Sequence, residues 1–318
     1  MSAGNTCTIC LARPPPLLPG TGKAMNVHHT EDIDWDALGA QLEREAELHT
    51  PFLEKAAGWL RDLLGAGDGA HTRIHRVLDV GSGPGVATCL LARFFPHAET
   101  VAVDQTAGLL ERARMRAAKQ HLSGRVITQQ ADLPEEFDTL SPADLIWTSH
   151  VVHHLGDQQA ALDALAGSLR TGGMLAVVER GLAPRFLPRD IGMGRPGLQA
   201  RLDAAMEDRF TAIRDQLPGS EPTVEDWPAM LARAGLIPTG TRTFLTDLPA
   251  PLGLPAREHL HAHLTRLYTL VGDRLDDEDR TTLERLVDGD ACTGILWRPD
   301  AFYLAATTVH TARACPAA

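Results

Sequence analysis

Three parts of the chain carry groups that could do chemistry. The first is Val77-Leu78-Asp79-Val80-Gly81-Ser82-Gly83-Pro84-Gly85, an apolar run that ends in three glycines spaced two apart. A buried strand that turns into a helix through glycines brings bare backbone close to a ligand, because no Cβ stands in the way. In an open α/β sheet that turn lies at the carboxyl end of the strand, where ligands bind. The second is the run Asp144 to Leu155, which closes on His150-Val151-Val152-His153-His154-Leu155. An imidazole titrates near neutrality and is the natural base for a hydroxyl or ammonium nucleophile. Adjacent histidines can equally be packing residues whose ring nitrogens bond backbone. The third is a set of acidic residues at strand ends: Asp104, Asp132 and Glu179.

These groups need elements to hold them. From residue 76 the hydrophobic period alternates between strand and helix, with strands expected at 76–80, 100–104, 125–129, 145–148 and 175–179. Helical patterns follow the glycines at 87–95 and recur at 107–118 and 159–169. Such alternation implies right-handed β-α-β units and a parallel sheet covered on both faces. Upstream, residues 34–64 show two amphipathic helices with Pro51 in the first turn of the second. Beyond Glu179 the alternation breaks into helical patterns at 198–214, 224–234 and twice within 256–286, with strands near 241–245 and 301–309. Residues 1–24, with Pro14-Pro15-Pro16 and no periodicity, read as a disordered leader, and Met25 is a second candidate start.

The nearest alternatives fail on spacing. A dinucleotide fingerprint counted from Gly81 needs its third glycine at Val86, whereas the chain has it at Gly85. No Gly-Lys-Ser/Thr follows, so the turn is not a phosphate loop of the Walker type. The run V-L-D-V-G-S-G-P-G instead resembles the first motif of the class I S-adenosylmethionine-dependent methyltransferases. Asp144 to Leu155 resembles the fourth-strand motif of their small-molecule members. The resemblance covers about residues 74–178 and continues more weakly to the C-terminus. It implies a Rossmann-like α/β fold: a seven-stranded, mostly parallel sheet with an antiparallel edge, plus a helical cap. The cap would come from inserts at about 181–223 and 256–290, within one domain spanning 25–318 whose core is 74–180. The helices at 34–64 would fold over the cofactor.

The resemblance also assigns roles. Asp79, Gly81, Ser82, Gly83 and Gly85 would form the loop against the methionine end of S-adenosylmethionine. Asp104, 19 residues after Gly85, would accept from both ribose hydroxyls; an Asp there is also a favoured helix N-cap. Gln105 would flank the adenine, Asp132 would accept from its amino group, and Ala131 and Leu133 would pack on the ring. Ser149 and His150 would border the methionine portion. For a protonated acceptor, His153 is the first candidate base, His150 the second and Glu179 the third. Two absences narrow the chemistry. No Asn/Asp-Pro-Pro-Tyr/Phe follows the fourth strand, unlike the members that methylate nitrogens of bases and proteins. Glu179-Arg180 stands where metal-dependent catechol-type enzymes carry an Asp-Asn pair, so no metal is expected.

Composition sets the remaining bounds. Of 318 residues, 44% are hydrophobic and 22% charged, ordinary for a soluble globular enzyme. A net charge of −11 argues against a nucleic-acid partner and mildly suits a cationic cofactor. Only three of the 30 basic residues are Lys, a skew typical of GC-rich bacterial genomes. Cys7 and Cys10 form one C-x-x-C with no second pair or histidine cluster to complete a zinc site. With no signal peptide and no apolar run of about 18 residues, a cytoplasmic location away from membranes is expected. The expected activity is metal-free methyl transfer to an oxygen or nitrogen of a small molecule, in secondary-metabolite tailoring. Methylation of a peptide side chain and a non-catalytic cofactor-binding role stay open, as does a homodimer.

Overall fold

The computed structural model describes residues 35–65 and 74–315. The proline-rich leader, the Cys7/Cys10 pair and Met25 lie outside the described residues. Two helices precede the sheet, α1 (Trp35–Leu48) and α2 (Thr50–Gly65). Phe52, Leu53, Ala56, Ala57, Leu60 and Leu64 form the buried stripe of α2, as the spacing predicts. Strand and helix then alternate: β1 (Arg76–Val80), α3 (Val86–Phe94), β2 (Glu99–Asp104), α4 (Ala107–Lys119), β3 (Val126–Gln130) and β4 (Ala143–Ser149). After β4 come α5 (Gln158–Gly167), β5 (Leu169–Arg185), α6 (Leu198–Arg214) and α7 (Trp227–Arg233). The chain finishes with β6 (Ile237–Leu248), α8 (Leu254–Val271), α9 (Asp277–Val287) and β7 (Tyr303–Arg313).

The strands form one seven-stranded sheet in the order β3-β2-β1-β4-β5-β7-β6. β1 through β5 pair in parallel, and β7 runs antiparallel to both β5 and β6, as the resemblance implies. Strand order reverses between β1 and β4. The crevice at that switch point opens beside the carboxyl ends of these two strands, where ligands of open α/β sheets bind. The glycine turn and the histidine run both stand there.

Alternate side chains of the central strands go to opposite faces. Leu78, Val80, Ile146, Leu175 and Val177 pack with α5 and α7 in one fully buried cluster. Val77, Leu145, Trp147, Met174 and Ala176 pack with α2 and α3 in another. Each such side chain contributes about 1.5–3 kcal/mol of hydrophobic stabilisation. A third cluster joins the cap residues Phe186, Leu202, Leu260, Leu264, Leu283 and Leu286 to Tyr303 at the start of β7.

Several strands run longer than the sequence places them: β4 starts at Ala143, β5 spans Leu169–Arg185, β6 spans Ile237–Leu248, and β7 begins at Tyr303 and runs on to Arg313. β5 continues six residues past Glu179, because β7 carries it on through register shifts between Arg180 and Leu182 and between Leu182 and Arg185. β6 begins at Ile237 despite Pro238 and Gly240, which an edge strand tolerates because one side of its ladder is unused. Among the described residues no helix is long and apolar enough to cross a membrane.

Candidate active site

The turn after β1 is locked to the end of β2. Gly81 and Ser82 donate their backbone N–H to the carbonyl of Val103, at 2.8 and 2.9 Å. Gly81 has φ +72°, and a Cβ there would meet Val151 Cγ2 at 2.1 Å, so the turn and the histidine run are in backbone-to-side-chain contact. Gly85, with φ +76°, plays a different part: a Cβ there would strike Ala113 of α4 at 2.5 Å. It packs the turn onto a helix and is not part of the cavity wall described below.

Two carboxylates close this end. Asp79 is 2% exposed and accepts from Thr88 Oγ1 at 2.5 Å. Burial pushes its pKa up to about 7, Asp104 adds to the rise, and the Thr88 hydrogen bond opposes it. Asp104 accepts from Gly83 N at Oδ2 and from Thr106 N at Oδ1, both at 2.9 Å. Burial raises its pKa too, against those two hydrogen bonds. The carboxylate therefore braces the glycine turn and the start of α4 together, while α4 itself takes Thr106 as its N-cap residue.

Both carboxylates face a cavity of about 580 Å³, within the range of small-molecule sites. Gly81, Ser82, Gly83, Gln105, Ala131, Leu133, Ser149 and His150 line it as well. Asp132 does not. It is exposed and borders a neighbouring shallow groove with Gln105, Thr106 and Gln130. Its backbone N–H donates to Glu136 Oε2 at 2.7 Å.

The histidines occupy distinct places. His150 lines the cavity with φ +56°, a left-handed conformation that is uncommon outside glycine and recurs at functional sites. His150 N donates to Val178 O at 2.9 Å, tying the end of β4 to β5. His153, in the 3-10 turn Val152–His154, is 7% exposed and lies behind the wall; the lining residues are His150 and His154. Its Nδ1 lies 2.6 Å from Oε2 of Glu179, itself 2% exposed. Its ring packs on His154 with centroids 4.1 Å apart and meets His150 edge-on at 6.1 Å. One ligand-type atom each from His150, His153 and Glu179 lie within 4.8 Å of one another.

The far end of the cavity has residues that motif spacing did not single out. Leu42, Glu45, Ala46 and His49 come from α1 and the residue after it, Phe52 and Leu53 from α2, Arg266 from α8 and Thr307 from β7. The N-terminal helices thus cover the cavity, as the resemblance implies. His49 Nε2 lies 2.9 Å from the hydroxyl of Tyr303, which is 2% exposed. Burial lowers the His49 pKa, with Glu45 opposing the shift. The available signal was a histidine three residues beyond Ala46, on the helix's apolar stripe. Nothing local marks Arg266.

S-adenosylmethionine presents a sulfonium, an amino-acid end, a ribose diol and an adenine, and the residues present fit it. Each oxygen of Asp104 accepts one backbone hydrogen bond, which leaves lone pairs for two hydroxyls. Ser82 Oγ, buried in the wall, has no hydrogen-bond partner among the described residues. Ala131 and Leu133 supply apolar surface, and Asp79 a carboxylate for the cationic end. Comparison with known proteins agrees. The family model described as a methyltransferase domain matches residues 77–173. The chain is 33% identical over 194 residues to trans-aconitate 2-methyltransferase of Methylobacterium nodulans, covering 55% of this chain and 71% of that one. It is 31% identical over 159 residues to 27-O-demethylrifamycin SV methyltransferase of Amycolatopsis mediterranei, covering 50% and 53%. A Synechococcus protein described as uncharacterized matches at 39% over 108 residues, 32% of this chain but only 24% of that one. The chain belongs to the class I S-adenosylmethionine-dependent methyltransferases.

Proposed function

We propose that this enzyme methylates an oxygen or nitrogen of a small molecule in secondary-metabolite tailoring, without a metal, and that His153 takes the acceptor's proton. The observation that carries the proposal is the buried His153–Glu179 pair behind the cavity wall, beside the ends of β4 and β5. When bound, S-adenosylmethionine supplies an electrophilic methyl group for in-line displacement. The chain supplies alignment and proton removal. Glu179 at Nδ1 selects the tautomer with its hydrogen on Nδ1, which puts the basic lone pair on Nε2. The same carboxylate stabilises the imidazolium once it forms, the arrangement by which a carboxylate orients a histidine base. His150 and His154 flank the approach. Gly81, Gly83 and Asp104 hold the donor's position, and placing nucleophile and methyl in line accounts for much of the acceleration.

The relatives above are named for trans-aconitate and for an O-demethylated rifamycin, which supports a small acceptor and, from the second, an oxygen. The test uses cofactor labelled in the methyl group, a producing-culture extract and size separation of the products. Label in the low-molecular-weight fraction with release of S-adenosylhomocysteine is expected. Label that follows the protein fraction would move the acceptor to a polypeptide side chain, and no transfer at all would leave a cofactor-binding protein.

A further inference from the structure

We infer that Arg214, the last residue of α6, is a positioning residue for the His153 base, so that the cap sets the geometry of the histidine turn. This rests on His153 being the base. Arg214 Nη1 donates to the carbonyl of His153 at 2.5 Å and to that of Leu155 at 3.3 Å, and Nη2 donates to that of Gly156 at 3.3 Å. These carbonyls end a 3-10 turn, where backbone acceptors run out of partners within the turn. A guanidinium can span all three because its donors form a rigid planar fork. One turn earlier on the same helix, Phe210 meets the His153 ring edge-on at 5.5 Å.

The chain beyond α6 reinforces the grip. Glu221 N donates to Gly156 O at 3.3 Å, and a Cβ on Gly156 would strike Pro218 O at 2.1 Å, so two backbones lie directly against each other. The other end of α6 is fastened inside the cap. Gln199 accepts from Phe186 N and Leu187 N at 3.1 and 3.3 Å, and Arg201 binds Asp279 of α9 at 2.5 and 2.7 Å. A 17-residue helix about 25 Å long thus joins the cap interior to the carbonyl of the histidine that Glu179 holds by its ring.

The test is a double-mutant cycle on the full chain, read as single-turnover methyl transfer. Arg214→Met should lower the chemical rate about 10- to 100-fold, the scale of an ångström's misplacement, with cofactor affinity unchanged. Arg214→Lys should recover part of that loss. In a His153→Ala background, Arg214→Met should cost nothing further, because its effect passes through His153. Additive losses in the double variant would overturn the proposal, as would a full chemical rate in Arg214→Met. If Arg214→Met does not fold, Phe210→Leu carries the same cycle with the same expectations. A His153→Ala enzyme that keeps its rate would instead refute the base itself, and this proposal with it.

Discussion

The sheet has two halves that hold their titratable groups in different ways. In the β3-β2-β1-β4 half, carboxylates sit at strand ends a few residues from the turns they brace, as Asp104 braces Gly83 and Thr106. In the β5-β7-β6 half with its cap, imidazoles are enclosed by helices. His259 is 6% exposed, His259 and His263 stack with centroids 6.2 Å apart, and burial drives both pKa values down to about 4. Burial disfavours the charged form of both kinds of group: it pushes the Asp79 carboxyl up and the cap histidines down. In the cap, burial favours the uncharged imidazole of His259 and His263.

The largest test of this contrast is His153→Ala. It should lower the single-turnover rate by about 10²–10⁴-fold, the usual worth of a general base, with cofactor affinity unchanged. A mutant with full chemical rate would give the role to His150, and if His150→Ala is also silent, alignment alone carries the reaction. Next comes acid stability. His259 ordinarily titrates near 6.5, so as pH falls from there toward 4 the unfolded chain takes up a proton that the folded cap rejects. Folding stability should drop across that window by on the order of 3 kcal/mol from this residue. Asp79 works in the opposite sense, since its folded carboxyl already holds a proton below about 7 and favours the folded state as pH falls toward 3.8. Urea titrations at pH 7 and 4.5 should therefore show a steeper acid loss in Asp79→Asn and a shallower one in His259→Gln. Equal slopes in both variants would erase the contrast.

Asp104→Ala should weaken cofactor binding by about 1.5–3 kcal/mol, the range for hydrogen bonds to a charged group. Calorimetry with unchanged affinity would remove it from the site. The smallest expected effect is that of chelation, which should be none. Exhaustive EDTA treatment should leave turnover intact, because Glu179 is engaged with His153 and the Asp-Asn pair of metal-dependent relatives is missing. Lost turnover that a divalent metal restores would recast His150, His153 and Glu179 as its ligands.

The same contrast explains what could be read ahead of the structure. Cofactor-side residues lie within a few positions of a strand end, so the period of the strand and the glycine spacing locate them. The first five strands follow from that periodicity, whereas the last two, beyond the break at Glu179, are placed only approximately by it. The cap side is assembled from distant segments: His49 meets Tyr303 across 254 residues, and no local spacing records such a contact. Arg214 is similarly hidden, since its three carbonyl partners lie 58 to 61 residues away. Asp132 is the converse case. Its position after the third strand matches a motif, and in the fold it borders the groove that adjoins the cavity at Gln105.

β5 has a consequence for how such an enzyme changes over time. From Met174 to Val178 it is paired on both sides, with β4 and with β7; from Glu179 onward β7 alone carries it. The candidate base's carboxylate is thus the first residue past the last rung shared with β4. Segments inserted between Arg185 and Tyr303, outside β6, lengthen a chain excursion without breaking a rung among β1 to β4, and longer loops cost little in closure entropy. The cap can therefore change in length without disturbing the pairing that positions the glycine turn and Glu179.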